Sequence, residues 1–182
     1  MKFSKAALYF SLVMAIVLIS SNYLVQFPFD YYGLKDILTW GAFTYPVSFL
    51  VSDLANRFFG KSFAREVVFL GFVIGIGLCF ILRIYIPGRI IIASGIAYLA
   101  GELLDISVFD ILRKKVWWLP PFASSILGSI LDTVIFFSIA FYGTGMDWLI
   151  LGVGDFSVKL FVDVVMLLPF RLAIIKYQKA HY

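Results

Sequence analysis

Only one cysteine, Cys79, and one histidine, His181, occur among the 182 residues. A lone cysteine cannot close an intrachain disulfide or build a cysteine metal site. A histidine next to the last residue leaves none for acid–base work in a core. Charge is scarce as well: 14% of the chain is Asp, Glu, Lys or Arg, against about 25% in a soluble domain. No HExxH, GxSxG, P-loop or phosphate-cradling glycine loop is present. The nucleophile or metal set of a membrane-embedded enzyme is therefore missing, and no cofactor is implied. The net charge of +4 is what basic flanks of membrane helices produce, and it does not signal nucleic-acid binding.

What is present in excess is hydrophobicity, 62% of residues with a mean hydropathy of +0.98. Long apolar runs fill the chain and leave no room for a soluble domain, so residues 1–182 read as a single transmembrane domain. The expected fold is an all-α integral membrane protein. Six spans of about 20 residues can be drawn, near 6–26, 38–56, 66–86, 90–109, 122–143 and 156–175. The first has two lysines before it, like a signal peptide. Its apolar run exceeds the h-region of about 7–15 residues, so it reads as a membrane helix. Breakers and anchors separate the spans, among them Pro28, Gly33, Gly60, Pro87-Gly88, Trp117-Trp118, Pro120-Pro121, Gly143 and Gly145.

Basic residues predict the orientation. Lys2, Lys5, Arg57, Lys61, Arg65, Arg113, Lys114, Lys115, Lys176 and Lys179 fall on one side, and Lys35, Arg83 and Arg89 on the other. The positive-inside rule then places both termini in the cytoplasm. Small residues four apart predict close helix contacts: Gly71 with Gly75, Ala93 with Ala97 and Gly101, and Ser125 with Ser129. These seams suit neighbouring helices and also the pairing of two copies as a homodimer. The first span has no AxxxA patch.

Polar groups inside the spans carry the functional reading. A charge at mid-bilayer costs about 2.5–3.5 kcal/mol, so each must be compensated or used. On a helix, Ser94, Tyr98, Gly101, Glu102 and Asp105 share an arc of roughly 100° and must be hidden together. By depth the groups divide in two. Asp53, Arg57 and Asp105, with Asn56, form an inner group of gating or structural charge. There Asp53 and Arg57 make an i, i+4 pair, and Asp105 lies about two turns before the basic run from Arg113. Asn22, Gln26, Ser94, Tyr98, Glu102, Ser129, Asp132, Lys159 and Asp163 form a middle and outer group, the candidate substrate site. Lys159 and Asp163 can neutralise one another. Trp40, Tyr45, Trp117 and Trp118 suit an interfacial belt.

Several blocks occur together: SSNYLVQ at 20–26, WGAF at 40–43, FLVSDL at 49–54, RFFGKSFAR at 57–65, RIIIASGIAYLAGELLDISVFDILR at 89–113 and WWLPPFASSILGSILDTVIFFSIAF at 117–141. The spacing of Asp155, Lys159 and Pro169 follows. With them the chain resembles the queuosine precursor transporter family, also called the vitamin uptake transporter family, over nearly its full length. The resemblance implies a multi-pass protein of the bacterial inner membrane that imports 7-deazaguanines for tRNA queuosine salvage. Its partners would be a small nucleobase and the lipid bilayer. Arg57 resembles the proteobacterial branch of the family, and Glu102 stands where a close relative has glutamine. The chemistry suits such a substrate: a carboxylate of Glu102 or Asp132 can accept the paired N–H groups of the base. Asn22 or Lys159 can donate to its carbonyl, and Tyr98 or Phe136 can stack. A stand-alone carrier, a substrate-binding subunit of an ATP-driven importer, and an assembly protein with an internal polar network remain as alternatives.

Overall fold

The computed structural model describes residues 4–35, 37–82 and 85–181, without the side chains of residues 180 and 181. The predicted flanking charges Lys2 and Arg83 lie outside the described residues. Seven helices are found among those described: α1 (Lys5–Leu24), α2 (Gly41–Thr44), α3 (Pro46–Phe59), α4 (Lys61–Ile81), α5 (Gly88–Leu112), α6 (Leu119–Phe141) and α7 (Trp148–His181). The described residues contain no strand, only an isolated bridge between Pro28 and Thr39.

Local sequence sets the helix ends. The Ser4 hydroxyl accepts from Ala7 N at 3.1 Å and caps α1. Pro46 opens α3, and Pro120 and Pro121 open α6. Proline suits a first turn, where its missing N–H leaves no hydrogen bond unmade. Gly60, at φ +94°, is the only residue between α3 and α4, a reversal that a residue with a Cβ makes at a strain.

Four helices, α1, α4, α5 and α6, are long and apolar enough to cross a membrane. The predicted second and sixth spans take a different form. The second is divided into α2 and α3 at Tyr45, and α3 has 14 residues, about 21 Å of helix. The sixth lies within α7, which has 34 residues with Pro169 inside. Its buried Asp155, Lys159 and Asp163 lower its apolarity.

The small-residue seams are where the helices meet. A Cβ on Gly71 would lie 2.7 Å from Met14 Cβ, and one on Gly75 would lie 2.9 Å from Leu18 Cδ2. α1 therefore lies directly on α4, and Ser11 Oγ donates to Val67 O at 3.1 Å across the seam. The α1 face is itself small: Ala7, Ser11 and Ala15 are four apart and buried. Serine at the middle position keeps this small face from being an AxxxA pattern. A Cβ on Gly101 would come within 3.1 Å of Gly128 O, and one on Gly128 within 2.8 Å of Phe49. Three helices thus meet at one point, with the Phe49 ring of α3 set into the crossing of α5 and α6.

Candidate functional site

The polar arc of α5 is hidden as its spacing requires. Ser94, Tyr98, Gly101, Glu102 and Asp105 are all buried. Facing them are α3, α4 and α6, with α7 packed on α3 and α6 beyond, and the polar groups separate into two clusters.

The first cluster centres on Lys159 of α7, 3% exposed. Its ammonium lies 2.6 Å from Asp132 Oδ2 and 2.7 Å from Asp155 Oδ2. It also donates to Thr133 Oγ1 at 3.2 Å, while that hydroxyl donates to Asp155 at 3.0 Å. The same ammonium sits 4.6 Å from the centre of the Tyr45 ring, a cation–π contact. A buried ammonium between two carboxylates, with a hydroxyl and a π face filling its remaining directions, has its charge and donors matched. Asn22 completes the cluster from α1, its amide donating to Cys79 Sγ at 3.4 Å.

These groups line a buried cavity of about 20 Å³, with Asn22, Tyr45, Ser94, Asp132, Asp155 and Lys159 as its polar wall and Phe136 beside them. It has room for about one water. Towards the loop after α1 lies a wider vestibule of about 570 Å³, lined by Gln26, Lys35, Thr39, Phe141 and Asp147 among others. Val25 borders both spaces. Gln26 braces the vestibule rim by donating to Tyr85 O at 2.9 Å.

The second cluster is made of carboxyl groups that have no cation within salt-bridge distance among the described residues. Ser52 Oγ donates to Asp105 at 3.2 Å, Ser124 Oγ to Asp53 at 3.4 Å and Ser129 Oγ to Asp163 at 3.2 Å. Glu102 is fully buried, and neither of its oxygens accepts a hydrogen bond. Asn56 donates to Ile106 O at 3.1 Å.

Of the residues predicted for a substrate site, Asn22, Ser94, Asp132 and Lys159 share the small cavity, and Gln26 lines the vestibule. Tyr98, Glu102, Ser129 and Asp163 do not line either space. Tyr98 stacks instead on Phe72, rings 6.4 Å apart at 17°. Four expectations about partners are corrected. Lys159 pairs with Asp155 and Asp132, not with Asp163, because α6 presents Asp132 and Thr133 on the Asp155 side. Asp53 does not pair with Arg57: it turns into the interior towards Ser124, while Arg57 donates to Arg113 O at 3.1 Å. Asp105 meets Ser52 rather than the basic run beyond it. Tyr45 is buried against Lys159, 6% exposed, and is no belt residue. Asp155, Tyr45 and Ser21, which line the cavity, and Thr133, which bonds Lys159 beside it, were missed by the substrate-site prediction. The i, i+4 spacing of Asp155 and Lys159 was the available signal, equal in strength to that of Lys159 and Asp163.

The family model described as "Putative vitamin uptake transporter" matches residues 39–174. The chain is similar to the queuosine precursor transporter of Escherichia coli (strain K12), 35% identical over 91% of this chain and 84% of that protein. It is 32% identical to the "Probable queuosine precursor transporter" of Haemophilus influenzae, with the same coverage of each chain. To the Bacillus subtilis protein of that name it is 25% identical over 74% of this chain and 70% of the other. No solved structure matches the chain. The chain belongs to the vitamin uptake transporter family, and is a multi-pass membrane transporter and not an enzyme.

Proposed function

We propose that this transporter imports queuosine precursors, 7-cyano- or 7-aminomethyl-7-deazaguanine and queuine among them, across the bacterial inner membrane. The relatives' names support the substrate class. The observation that carries the site is the cavity where Asn22, Asp132, Asp155 and Lys159 converge beside Phe136. A deazaguanine offers N1–H and a 2-amino group side by side, which one carboxylate, Asp132 or Asp155, accepts together. Its 6-oxo group accepts from Asn22 or Lys159, and its flat bicycle stacks on Phe136. The present cavity, about 20 Å³, is this site in its closed form. The vestibule above it is of ligand size, and the joint at Tyr45, between α2 and α3, is the place where the two spaces open to one another.

In this reading six segments cross the membrane, the broken α2–α3 segment and the polar α7 included. Their polar faces are turned inward, which removes the cost of lipid contact. Lys5, Arg57, Lys61, Arg65, Arg113, Lys114, Lys115, Lys176 and Lys179 mark the cytoplasmic face, and Lys35 and Arg89 the opposite one. Both termini are then cytoplasmic. The protein works as a stand-alone carrier: the small face of α1, Ala7, Ser11 and Ala15, is already buried against α4 and is not free to dock a module.

Two experiments test this. The chain is expressed in a bacterium that can neither make nor import the precursor, and tRNA queuosine is assayed with each 7-deazaguanine supplied. Restored queuosine is expected, and its absence with every precursor refutes the substrate. Saturable exchange by the purified protein alone in liposomes is expected of a carrier, whereas a requirement for an ATP-driven module refutes the stand-alone form.

A further inference from the structure

Beyond the cavity runs a line of acids that substrate binding does not use. Glu102 is fully buried with both oxygens unpartnered, and one oxygen of Asp105 is likewise unpartnered. No lysine or arginine among the described residues lies within salt-bridge distance of Glu102, Asp105, Asp53 or Asp163. An isolated buried carboxylate is costly, and taking up a proton relieves that cost. Several such acids in mutual reach share protons as a set. Glu102 lies in electrostatic reach of Asp132 on one side and Asp105 on the other. Asp53 is in reach of Asp105, Glu102 and Asp163.

The line joins two cavities. At one end is the Asn22–Lys159 cavity. At the other is a second buried space of about 10 Å³, walled by Asp53, Ser125 and Asp163 with Pro46, Pro121 and Phe170. Hydroxyls of Ser52, Ser124 and Ser129 are bonded to Asp105, Asp53 and Asp163, so O–H groups accompany the acids along the line.

We propose that the chain carries a proton with its substrate, passed along Glu102, Asp105, Asp53 and Asp163 from the substrate cavity to the second cavity. This rests on the reading of the first cavity as the substrate site. The ionisable groups around Glu102 agree with it. From α3 come Asp53 and, at its start, Tyr45. From α5 come Tyr98 and Asp105, and from α6 Asp132. One layer further, α7 brings Asp163 within reach of Asp53 and Asp105, and Lys159, whose charge is held by Asp132 and Asp155. The buried residues of α1 include no acid or base, and those of α4 only Cys79, which is bonded to Asn22. In each cycle Glu102 takes one proton from the cavity side, and Asp163 releases one on the other. No bond of the substrate is made or broken. A neutral substrate therefore crosses with one positive charge.

The test uses the full-length protein in liposomes loaded with a pH-sensitive dye, with labelled 7-cyano-7-deazaguanine as the probe. Counterflow exchange at equal pH reads the substrate site alone. Substrate-dependent acidification of the lumen reads the proton. Both are expected in the wild type, and an inward gradient of one pH unit should hold about tenfold accumulation for one proton per substrate. Glu102→Gln keeps the shape without the proton: counterflow persists, while acidification and gradient-driven accumulation are lost. Asp105→Asn acts in the same direction. Wild-type counterflow without acidification overturns the proposal and leaves the substrate reading standing, as does accumulation driven by sodium in place of protons. Absent counterflow refutes the substrate reading, and the proton proposal falls with it. If Glu102→Gln does not fold, wild-type acidification decides alone.

Discussion

Arg57 and Arg113 each close the end of the other's helix. Arg57 Nη1 donates to the Arg113 carbonyl at 3.1 Å, and Arg113 Nη2 donates to the Arg57 carbonyl at 2.9 Å. One residue lies in the last turn of α3 and the other is the C-cap of α5. Carbonyls at a helix C-terminus lack intrahelical donors and carry the negative end of the helix dipole, so a guanidinium satisfies both needs. Arg57→Gln or Arg113→Gln is expected to cost about 1.5–3 kcal/mol each, the range for hydrogen bonds to charged groups. The double variant should cost less than the sum, because the two bonds form one clamp. Thermal unfolding in detergent checks both, and additive losses would show that the arginines act separately.

Lys159 is the cation that holds the first cluster together. Lys159→Met leaves the buried Asp132 and Asp155 without their cation, for an expected loss of about 3–5 kcal/mol. Adding Asp132→Asn and Asp155→Asn removes the uncompensated charges. The triple variant should recover folded protein, read by size-exclusion chromatography, yet fail to bind a deazaguanine. Binding by the triple variant would remove these three residues from the substrate site.

The contrast between Arg57 and the α5 stripe shows what the sequence could reveal. Insertion cost and helical period alone require Ser94, Tyr98, Glu102 and Asp105 to share one hidden face, and they do. Period and cost say nothing about which partner an acid meets. Asp53 and Arg57 have ideal spacing but sit at a depth where one points inward and the other reaches the end of α5. Lys159 has an acid four residues away on either side. The choice between Asp155 and Asp163 was made by Asp132 and Thr133, which belong to another helix. Two cavities joined by a line of acids are likewise a product of packing between α3, α5, α6 and α7. The break at Tyr45 was partly legible, since Pro46 marks a helix start.

Gly154 tests how the loop before α2 is seated. A Cβ at Gly154 would run into the backbone carbonyl of Ile37, whereas one at Gly152, on the same helix, would meet the side chains of Thr133 and Phe137 at an ordinary 3.6–3.9 Å. Gly154→Ala must therefore displace backbone, and Gly152→Ala need not. The first is expected to lower the melting temperature and the uptake rate. The second should match or exceed wild-type stability, since alanine favours a helix by up to about 1 kcal/mol. Equal behaviour of the two variants would mean that the loop does not pack on α7.

Cys79 offers a reporter with no background, because it is the single cysteine of the chain. Its thiol is fully buried and accepts from the Asn22 amide, and Asn22 lines the substrate cavity. A buried thiol reacts slowly because the thiolate is the nucleophile and must be reached. Maleimide should therefore label the native protein at least about tenfold more slowly than the protein in SDS, where Cys79 is free. A substrate that engages Asn22 holds α1 against α4 and should slow native labelling further, with half-maximal protection at the concentration that half-saturates transport. Asn22→Ala removes that link. It should label faster than the wild type and lose the protection, while its labelling in SDS stays unchanged. Protection that survives in Asn22→Ala would show that the substrate closes the protein from elsewhere than this cavity.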